Sequence, residues 1–223
     1  MKIKNKEIKM IIFDLDGTLL DSLLIWTQVD VNFFKKRNLI MPGDYTEKID
    51  HMGLENASIY TKERFNLEES PQDIVKEWEM VVVDQYEHQV QLKPYAQELL
   101  ELAKSKGCIL NVATASQECC YVPCLKNNNV YHYFNRITDV KEYNEGKNSP
   151  QIYLDIARKH NLVPSEVLVI EDIVTALNSA KRGGFNTCAI YEQTCKEEDV
   201  KKEISDIYIT SFLDLINLIN KED

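Results

Sequence analysis

Short apolar runs recur along the chain, and helix-like or loop sequence separates each run from the next. The first occupies residues 10–14, and the others occupy residues 108–113, 167–170, 187–190 and 207–209. Apolar runs of this length without polar alternation are typical of strands buried on both faces of a parallel sheet. Helices are predicted between them at 94–106, 150–160 and 175–182, where proline or glycine marks a boundary. This alternation predicts an α/β fold with a doubly wound, Rossmann-like parallel sheet.

The segment from residue 21 to residue 91 lacks such a run and has apolar residues at helical spacing instead. Ser70 and Pro71, followed by Asp73, form a helix-start signal within it. We therefore predict a helical domain at 21–91, inserted into a core domain made of 1–20 and 92–223. The helically spaced apolar residues are Leu23, Trp26, Phe33, Phe34, Ile59, Tyr60, Phe65, Ile74, Trp78, Val81, Val82 and Tyr86. We predict that the aromatic ones pack in the core of the helical domain; the alternative is a cage for a ligand.

The charge balance disfavours a nucleic-acid partner that is bound through its phosphates. The 223 residues include 26 Lys and Arg against 36 Asp and Glu, a formal net charge of -10, and no basic run offsets it. Charged residues interrupt every apolar stretch before it reaches the length of a membrane-spanning helix, and residues 1–9 do not resemble a signal peptide. We expect a cytoplasmic protein that binds neither nucleic acid nor membrane.

The 6 cysteines are too sparse for a disulfide scaffold and form no paired CxxC motifs. Cys119, Cys120 and Cys124 have a spacing seen in metal ligation on a helix, but no paired spacing or histidine cluster accompanies them. We interpret the cysteines as small buried apolar residues.

The most specific motif is DLDGT at residues 14–18, directly after the first predicted strand. Open α/β sheets bind ligands at the carboxyl ends of their strands. Asp14 and Asp16 in that place indicate a nucleophilic carboxylate and a divalent cation with oxygen ligands, such as Mg²⁺. The alternative is a simple turn capped by Asp14. Glu171 and Asp172 follow another predicted strand and are expected to reach the same crevice.

Two further residues are consistent with a phosphate site. Thr114 ends the predicted strand at 108–113, where its hydroxyl and the backbone N–H groups that follow can meet an anion. Lys147 precedes a predicted helix and can bring one positive charge to the same oxygens. Each residue alone is uninformative, but their order along the chain makes them informative together.

This order of motifs resembles that of the haloacid dehalogenase-like phosphohydrolases. The matching pieces are FDLDGTLLDS, LNVATAS, GKNSPQIYLDIA and VLVIEDIVTALNSAKRGG, and the resemblance spans residues 10–190. The helical insertion resembles the small cap domain of the branch that contains β-phosphoglucomutase and phosphoglycolate phosphatase. The resemblance implies a phosphatase that uses Mg²⁺ and acts on a small phosphorylated metabolite. Enzymes of this branch are often monomers, so a monomer is expected by analogy.

The resemblance also implies a role for each site residue. Asp14 would form the aspartyl-phosphate, and Asp16 would protonate the leaving group and then activate water. Mg²⁺ would be held by Asp14, Asp172 and the backbone carbonyl of Asp16, with Glu171 beside these ligands. The phosphate would be bound by Asp14, Thr114, Ala115 and Lys147.

Departures from the family pattern bear on the rival function, a phosphomutase. In the β-phosphoglucomutase branch a histidine of the first cap helix assists the acid and base, and a lysine after the second motif holds the distal phosphate. Trp26 and Gln117 occupy those positions here, which disfavours a mutase. A non-catalytic scaffold that kept the fold is a further alternative. Ile173 and Thr175 replace the usual Ser and Gly after the last acidic pair, and Tyr95 replaces a frequent Gly.

Five residues are candidates for contact with the leaving alcohol. The candidates are Trp26, Lys48, His51, Ser116 and Gln117. Lys48 and His51 belong to a segment at 44–57, with Glu55, that we interpret as a loop around the Met52-Gly53 turn. An ordinary solvated loop explains these residues equally well.

Overall fold

The computed structural model describes residues 1–23, 25–49 and 52–222, with only the backbone at Trp26. It divides into two compact units. We call Met1–Ser22 together with Val90–Asp223 the core unit, and Leu23–Gln89 the helical unit. The boundaries expected at 20/21 and 91/92 lie close to this division.

Strands and helices alternate along most of the core unit, whereas the elements described in the helical unit are all helices. The strands are β1 (Lys2–Ile3), β2 (Lys6–Glu7), β3 (Met10–Phe13), β4 (Ile109–Thr114), β5 (Arg136–Asp139), β6 (Val167–Glu171), β7 (Asn186–Ile190) and β8 (Ile207–Ile209). The helices of the helical unit are α1 (Ile25–Lys36), α2 (Tyr45–Ile49), α3 (Gly53–Phe65) and α4 (Pro71–His88). Those of the core unit are α5 (Ala96–Ser105), α6 (Glu118–Asn127), α7 (Gln151–Lys159), α8 (Val174–Arg182), α9 (Glu198–Ile204) and α10 (Phe212–Asn220).

The main sheet has the strand order β5-β4-β3-β6-β7-β8, and each neighbouring pair is parallel. Counted within this sheet, the order is the 3-2-1-4-5-6 arrangement of doubly wound folds. The predicted fold class is confirmed. Phe13 of β3 lies opposite Val112 on one side and Ile170 on the other, so β3, β4 and β6 end at one edge of the sheet. Ligands of such folds bind at this edge, where the strand order reverses.

Two parts of the sheet structure were not predicted. The β1–β2 pair is antiparallel and each strand has only 2 residues, too short to leave an apolar run. Strand β5 lies at the edge of the sheet, and only Thr138 of its residues is buried. An edge strand needs fewer apolar residues than a central one, so it carries no continuous apolar signal.

The start predicted for α5 is wrong, because the helix begins at Ala96 and not at Pro94. Tyr95 precedes it with φ of 64°, in the left-handed region, which cannot continue a right-handed helix. A glycine adopts this conformation without strain, which is the physical reason for the family's frequent Gly at this position.

The helical unit is stabilised by a cluster of aromatic and charged side chains between α1 and α4. The Phe33 and Trp78 rings pack edge to face with centroids 5.5 Å apart. Arg37 lies 3.7 Å above the Phe33 ring and forms ion pairs with Glu69 at 2.9 Å and Glu77 at 2.8 Å. Because the guanidinium is mostly shielded from water, these contacts are stronger than those of an exposed pair.

The predicted start of α4 is confirmed, because Ser70 precedes it and accepts the backbone N–H of Asp73 at 3.2 Å. The prediction of a loop at 44–57 is wrong, since α2 and the first turns of α3 occupy this segment. Ile59, one of the helically spaced apolar residues, is exposed on α3.

The cysteines do not all behave as predicted. Cys108, Cys120, Cys124 and Cys188 are buried, but Cys119 is exposed and Cys195 is half-buried, so the interpretation as buried apolar residues is wrong for these two. None of the described helices is both long enough and apolar enough to span a bilayer.

Asp30 of α1 gives a testable pH dependence of stability. Burial raises the pKa of its carboxyl to about 6, although a hydrogen bond from Thr46 at 3.3 Å lowers it. The pKa of Asp30 is higher in the folded than in the unfolded protein. Its contribution to the free energy of unfolding is therefore most favourable below about pH 4 and is lost as the pH rises to about 6. Above that range, ionised Asp30 contributes about 3 kcal/mol less to the free energy of unfolding than protonated Asp30 does below pH 4.

We expect Asp30→Asn to change the free energy of unfolding by an amount that is about 3 kcal/mol more favourable at pH 7.5 than at pH 4. Urea unfolding of both proteins at a series of pH values measures this difference. The exposed Asp84 of α4 offers a matched control, because Asp84→Asn should change stability by less than about 0.5 kcal/mol. An Asp30→Asn effect that is constant between pH 4 and pH 7.5 would contradict the prediction.

Candidate active site

A tight turn directly after β3 carries the DLDGT motif. The carbonyl oxygen of Leu15 accepts the backbone N–H groups of Thr18, Leu19 and Leu20, at 3.2, 2.9 and 2.8 Å. Gly17 has φ of 76°, a left-handed conformation that favours glycine. The chain therefore reverses within one motif and keeps Asp14 and Asp16 at the end of the strand.

Three acidic residues converge at the carboxyl ends of β3 and β6. Each of Asp14, Glu171 and Asp172 offers a carboxylate oxygen, and these oxygens lie within 4.8 Å of one another. All three residues are buried. Burying like charges this close is unfavourable unless positive charge is supplied, so the group requires a cation.

Lys147 supplies part of that positive charge. It lies in a single helical turn, Gly146–Asn148, and its ammonium group forms ion pairs with Asp14 and with Glu171, the latter at 2.8 Å. Burial lowers the pKa of Lys147, but the charges of Asp14 and Glu171 outweigh burial and hold that pKa above its usual value. Lys147 is therefore charged at neutral pH.

One lysine does not neutralise the three carboxylates. Burial raises the pKa values of Asp14, Glu171 and Asp172. The charge of Asp16 raises that of Asp14 further, and the charge of Asp14 raises those of Glu171 and Asp172. Lys147 lowers all three without cancelling these effects. When all three carboxylates are ionised, the site has an excess of negative charge that a bound cation would offset.

The donor set fits Mg²⁺. Hard divalent cations prefer carboxylate oxygens, and Asp14 and Asp172 offer them at the strand ends. Oε1 of Glu171 accepts Lys147 and the Tyr153 hydroxyl, while its buried Oε2 has no hydrogen-bond partner among the described residues. The carboxylate of Asp16 does not belong to this cluster of three. The predicted contact between the metal and the backbone carbonyl of Asp16 stays a prediction.

Hydroxyl groups that the sequence analysis did not identify hold the acidic residues in place. Tyr153 of α7 donates to Glu171 at 2.8 Å, and Thr18 donates to Asp172 at 3.2 Å. A buried tyrosine needs a hydrogen-bond partner for its hydroxyl, but this general rule does not identify Glu171 as the partner of Tyr153 from sequence.

The acid and base candidate, Asp16, also has a hydroxyl partner. Ser22 donates to Oδ1 of Asp16 at 2.7 Å. Ser22 is buried, although its position six residues after Asp16 gave no sequence signal for this contact.

The predicted phosphate-binding residues of the second motif lie at the end of the neighbouring strand. Thr114 is buried at the end of β4, and its Oγ1 accepts the backbone N–H of Ser116 at 2.9 Å. Because Thr114 is the acceptor there, its own hydroxyl hydrogen is not used in that bond. Ala115 and Gln117 are exposed at this edge, and Gln117 precedes the first turn of α6.

The structure thus brings Asp14, Glu171, Asp172 and Lys147 together, but it does not do so for every candidate. Lys48 is exposed on α2 in the helical unit. The side chain of Trp26 and all of His51 lie outside the described residues. The roles proposed for Trp26, Lys48, His51, Ser116 and Gln117 in substrate binding stay predictions.

Comparison with known proteins agrees with the site. A family model described as haloacid dehalogenase-like hydrolase matches residues 11–190. Hexitol phosphatase B of Escherichia coli is 22% identical over 94% of this chain and 95% of its own length. (DL)-glycerol-3-phosphatase 2 of Arabidopsis thaliana is 26% identical over 92% of this chain and 87% of its own.

A solved structure has the same fold. The β-phosphoglucomutase of Clostridium difficile superposes with a TM-score of 0.66 at 19% identity, covering 96% of this chain and 98% of its own. The family match, together with curated relatives that are named phosphatases, confirms the expectation of a phosphoric monoester hydrolase. Because the family model covers most of the core unit and the motifs at its strand ends, the chain belongs to the haloacid dehalogenase-like hydrolases.

Proposed function

We propose that this enzyme is a Mg²⁺-dependent phosphatase that hydrolyses a small phosphomonoester through an aspartyl-phosphate on Asp14. The observation that carries the proposal is the buried group of Asp14, Glu171 and Asp172, with Lys147 paired to two of its members. A nucleophile, a set of oxygen ligands and a positive side chain meet there at the ends of two neighbouring strands. Phosphoryl transfer depends mainly on such positioning and charge neutralisation.

The reaction would proceed in two displacements. A carboxylate oxygen of Asp14 forms a bond to phosphorus, while the bond from phosphorus to the leaving oxygen breaks. Asp16, in its protonated form, transfers a proton to that oxygen, so that a neutral alcohol leaves. Asp16 then takes a proton from water, which attacks phosphorus, releases phosphate and regenerates Asp14. The hydroxyl of Ser22 orients Asp16 through its hydrogen bond at 2.7 Å.

The remaining residues would hold the phosphoryl group and balance its charge. Lys147 already contacts Asp14, so its ammonium group is in place to bind an oxygen of a phosphate attached there. Thr114 would donate its hydroxyl hydrogen to a second oxygen, together with the backbone N–H of Ala115. Bound Mg²⁺ would supply the positive charge that offsets repulsion between the phosphate and the buried carboxylates.

We further propose that the substrate is a phosphorylated polyol or a related small carbohydrate. The names of the curated relatives, a hexitol phosphatase and a glycerol-3-phosphatase, support this class. A phosphomutase is disfavoured by Trp26 and Gln117 at the positions of the family's histidine and lysine.

Asp14 is the residue whose substitution tests the proposed nucleophile. We expect phosphate release from a panel of hexitol phosphates, glycerol 3-phosphate and phosphoglycolate to require Mg²⁺ and to fall by about a thousandfold or more in Asp14→Asn, which lacks the nucleophile. Asp199→Asn removes an equally sized carboxylate from the exposed surface of the core unit and should leave the rate unchanged.

Turnover that appears only after a sugar bisphosphate is added would identify a mutase instead. A folded protein that binds Mg²⁺ but hydrolyses no ester of the panel would support the scaffold alternative.

The hydroxyl of Tyr153 tests the influence of Glu171 on metal binding. Tyr153→Phe removes the hydrogen bond that the Tyr153 hydroxyl donates to Glu171. Because Glu171 is then held less firmly beside the proposed metal ligands, we expect the Mg²⁺ concentration at half-maximal activity to rise by about tenfold. Titration of activity with Mg²⁺ measures this change, and the Mg²⁺-induced rise in melting temperature measures it without substrate. Tyr133→Phe removes a hydroxyl that donates to Glu101 on the surface and should leave both quantities unchanged. An unchanged Mg²⁺ dependence in Tyr153→Phe would contradict the prediction that this hydrogen bond to Glu171 affects metal binding.

A further inference from the structure

A nearly buried ion pair lies in the core unit outside the group described above. The ammonium group of Lys93 is 2.5 Å from a carboxylate oxygen of Glu192 and also donates to the backbone carbonyl of Tyr191 at 3.1 Å. The two charged side chains are only 12% and 9% exposed. A lone charge of either sign would be unfavourable here, so the two residues act as one pair.

Lys93 is connected through the backbone to the turn that carries Asp16. Its N–H donates to the carbonyl of Leu19 at 2.9 Å, and the adjacent Leu92 pairs with Leu20 in an antiparallel bridge. Gly17 in turn donates its N–H to the carbonyl of Leu20 at 3.0 Å. The segment that ends at Lys93 therefore lies alongside the catalytic turn and limits its position.

Glu192, the other member of the pair, is attached to the sheet. The preceding residue, Tyr191, donates its N–H to the carbonyl of Ile209 at 2.8 Å and so extends the pairing of β7 with β8. The N–H of Glu192 donates to Glu198 at 3.0 Å, and Glu198 accepts the buried ammonium of Lys201 at 2.6 Å. Glu192 thus has a fixed position from which to hold Lys93.

We propose that Lys93 and Glu192 are positioning residues that hold the turn at residues 15–20, and with it Asp16, against the sheet. The inference rests on the proposed function, because it assigns Asp16 the proton transfer to the leaving group. The pair contacts neither the carboxylates of the acidic group nor Lys147, so its effect on catalysis is transmitted through the backbone of the turn. Displacement of Asp16 would weaken proton transfer while leaving the attack by Asp14 intact.

This assignment predicts a dependence on the leaving group. An alkyl phosphate needs a proton at its leaving oxygen, whereas p-nitrophenyl phosphate releases a stable anion and needs little assistance. We expect Lys93→Met to lower kcat/KM, which reports formation of the aspartyl-phosphate, for glycerol 3-phosphate, or for the best alkyl ester of the wild-type enzyme, by about tenfold to a hundredfold. The kcat/KM for p-nitrophenyl phosphate should fall by less than about threefold, because water activation by Asp16 follows the release of the leaving group and does not enter this constant.

Matched variants separate positioning from general damage. Lys93→Arg keeps the charge and should retain activity on both esters. Lys9→Met breaks an exposed pair with Glu166 at the opposite edge of the same sheet and should alter neither rate. If the pair acts as a unit, Glu192→Gln should show the same ester dependence, and the double variant should be no worse than either single one.

The outcomes distinguish this inference from the proposed function. If Asp16→Asn shows the leaving-group dependence but folded Lys93→Met loses activity on both esters equally, or on neither, the inference is wrong and the proposed function stands. If the wild-type enzyme hydrolyses neither ester, or Asp16→Asn lowers kcat/KM equally for both, the proposed role of Asp16 is wrong and the inference fails with it.

Discussion

The ion pairs of Lys147 with Asp14 and Glu171 are the interaction on which the rest of the site depends. Burial excludes the water that would otherwise stabilise these carboxylates and raises their pKa values. Lys147 restores part of the lost stabilisation, and its own positive charge is held by the same contacts. Because one lysine cannot balance the acidic group, the arrangement is stable in its ionised form only with a further cation. The charge balance of the site is therefore consistent with the Mg²⁺ that we propose it binds.

The parallel sheet makes this arrangement possible from residues that are far apart in sequence. Strands β3 and β6 are neighbours, and their register places Asp14 and Glu171 at the same edge. Strand β4 ends beside them with Thr114. Hydroxyl groups of Thr18 and Tyr153 then fix the carboxylates by direct hydrogen bonds. Backbone topology brings the reacting groups together, and short polar contacts set their orientation.

The sequence was most informative where burial is complete and the local signal is strong. The five apolar runs correspond to β3, β4, β6, β7 and β8, and the acidic motifs follow β3 and β6 directly. Strand β5 escaped prediction because an edge strand with one buried residue has no apolar run. The hydrogen bonds of Tyr153 and Ser22 were not predicted, because a contact between distant or differently oriented side chains leaves no spacing pattern in the sequence. The pairing of Lys93 with Glu192 is likewise visible only in three dimensions.

The central claim is that Asp14 becomes covalently phosphorylated during turnover. Its most direct test is acid quenching of the enzyme during steady-state hydrolysis of its best ester, followed by mass spectrometry of the peptide that contains residues 14–18. We expect that peptide to carry one phosphoryl group on Asp14, which disappears when the substrate is exhausted. Full turnover with no phosphoryl group on the enzyme, or with the group on another residue, would contradict the account.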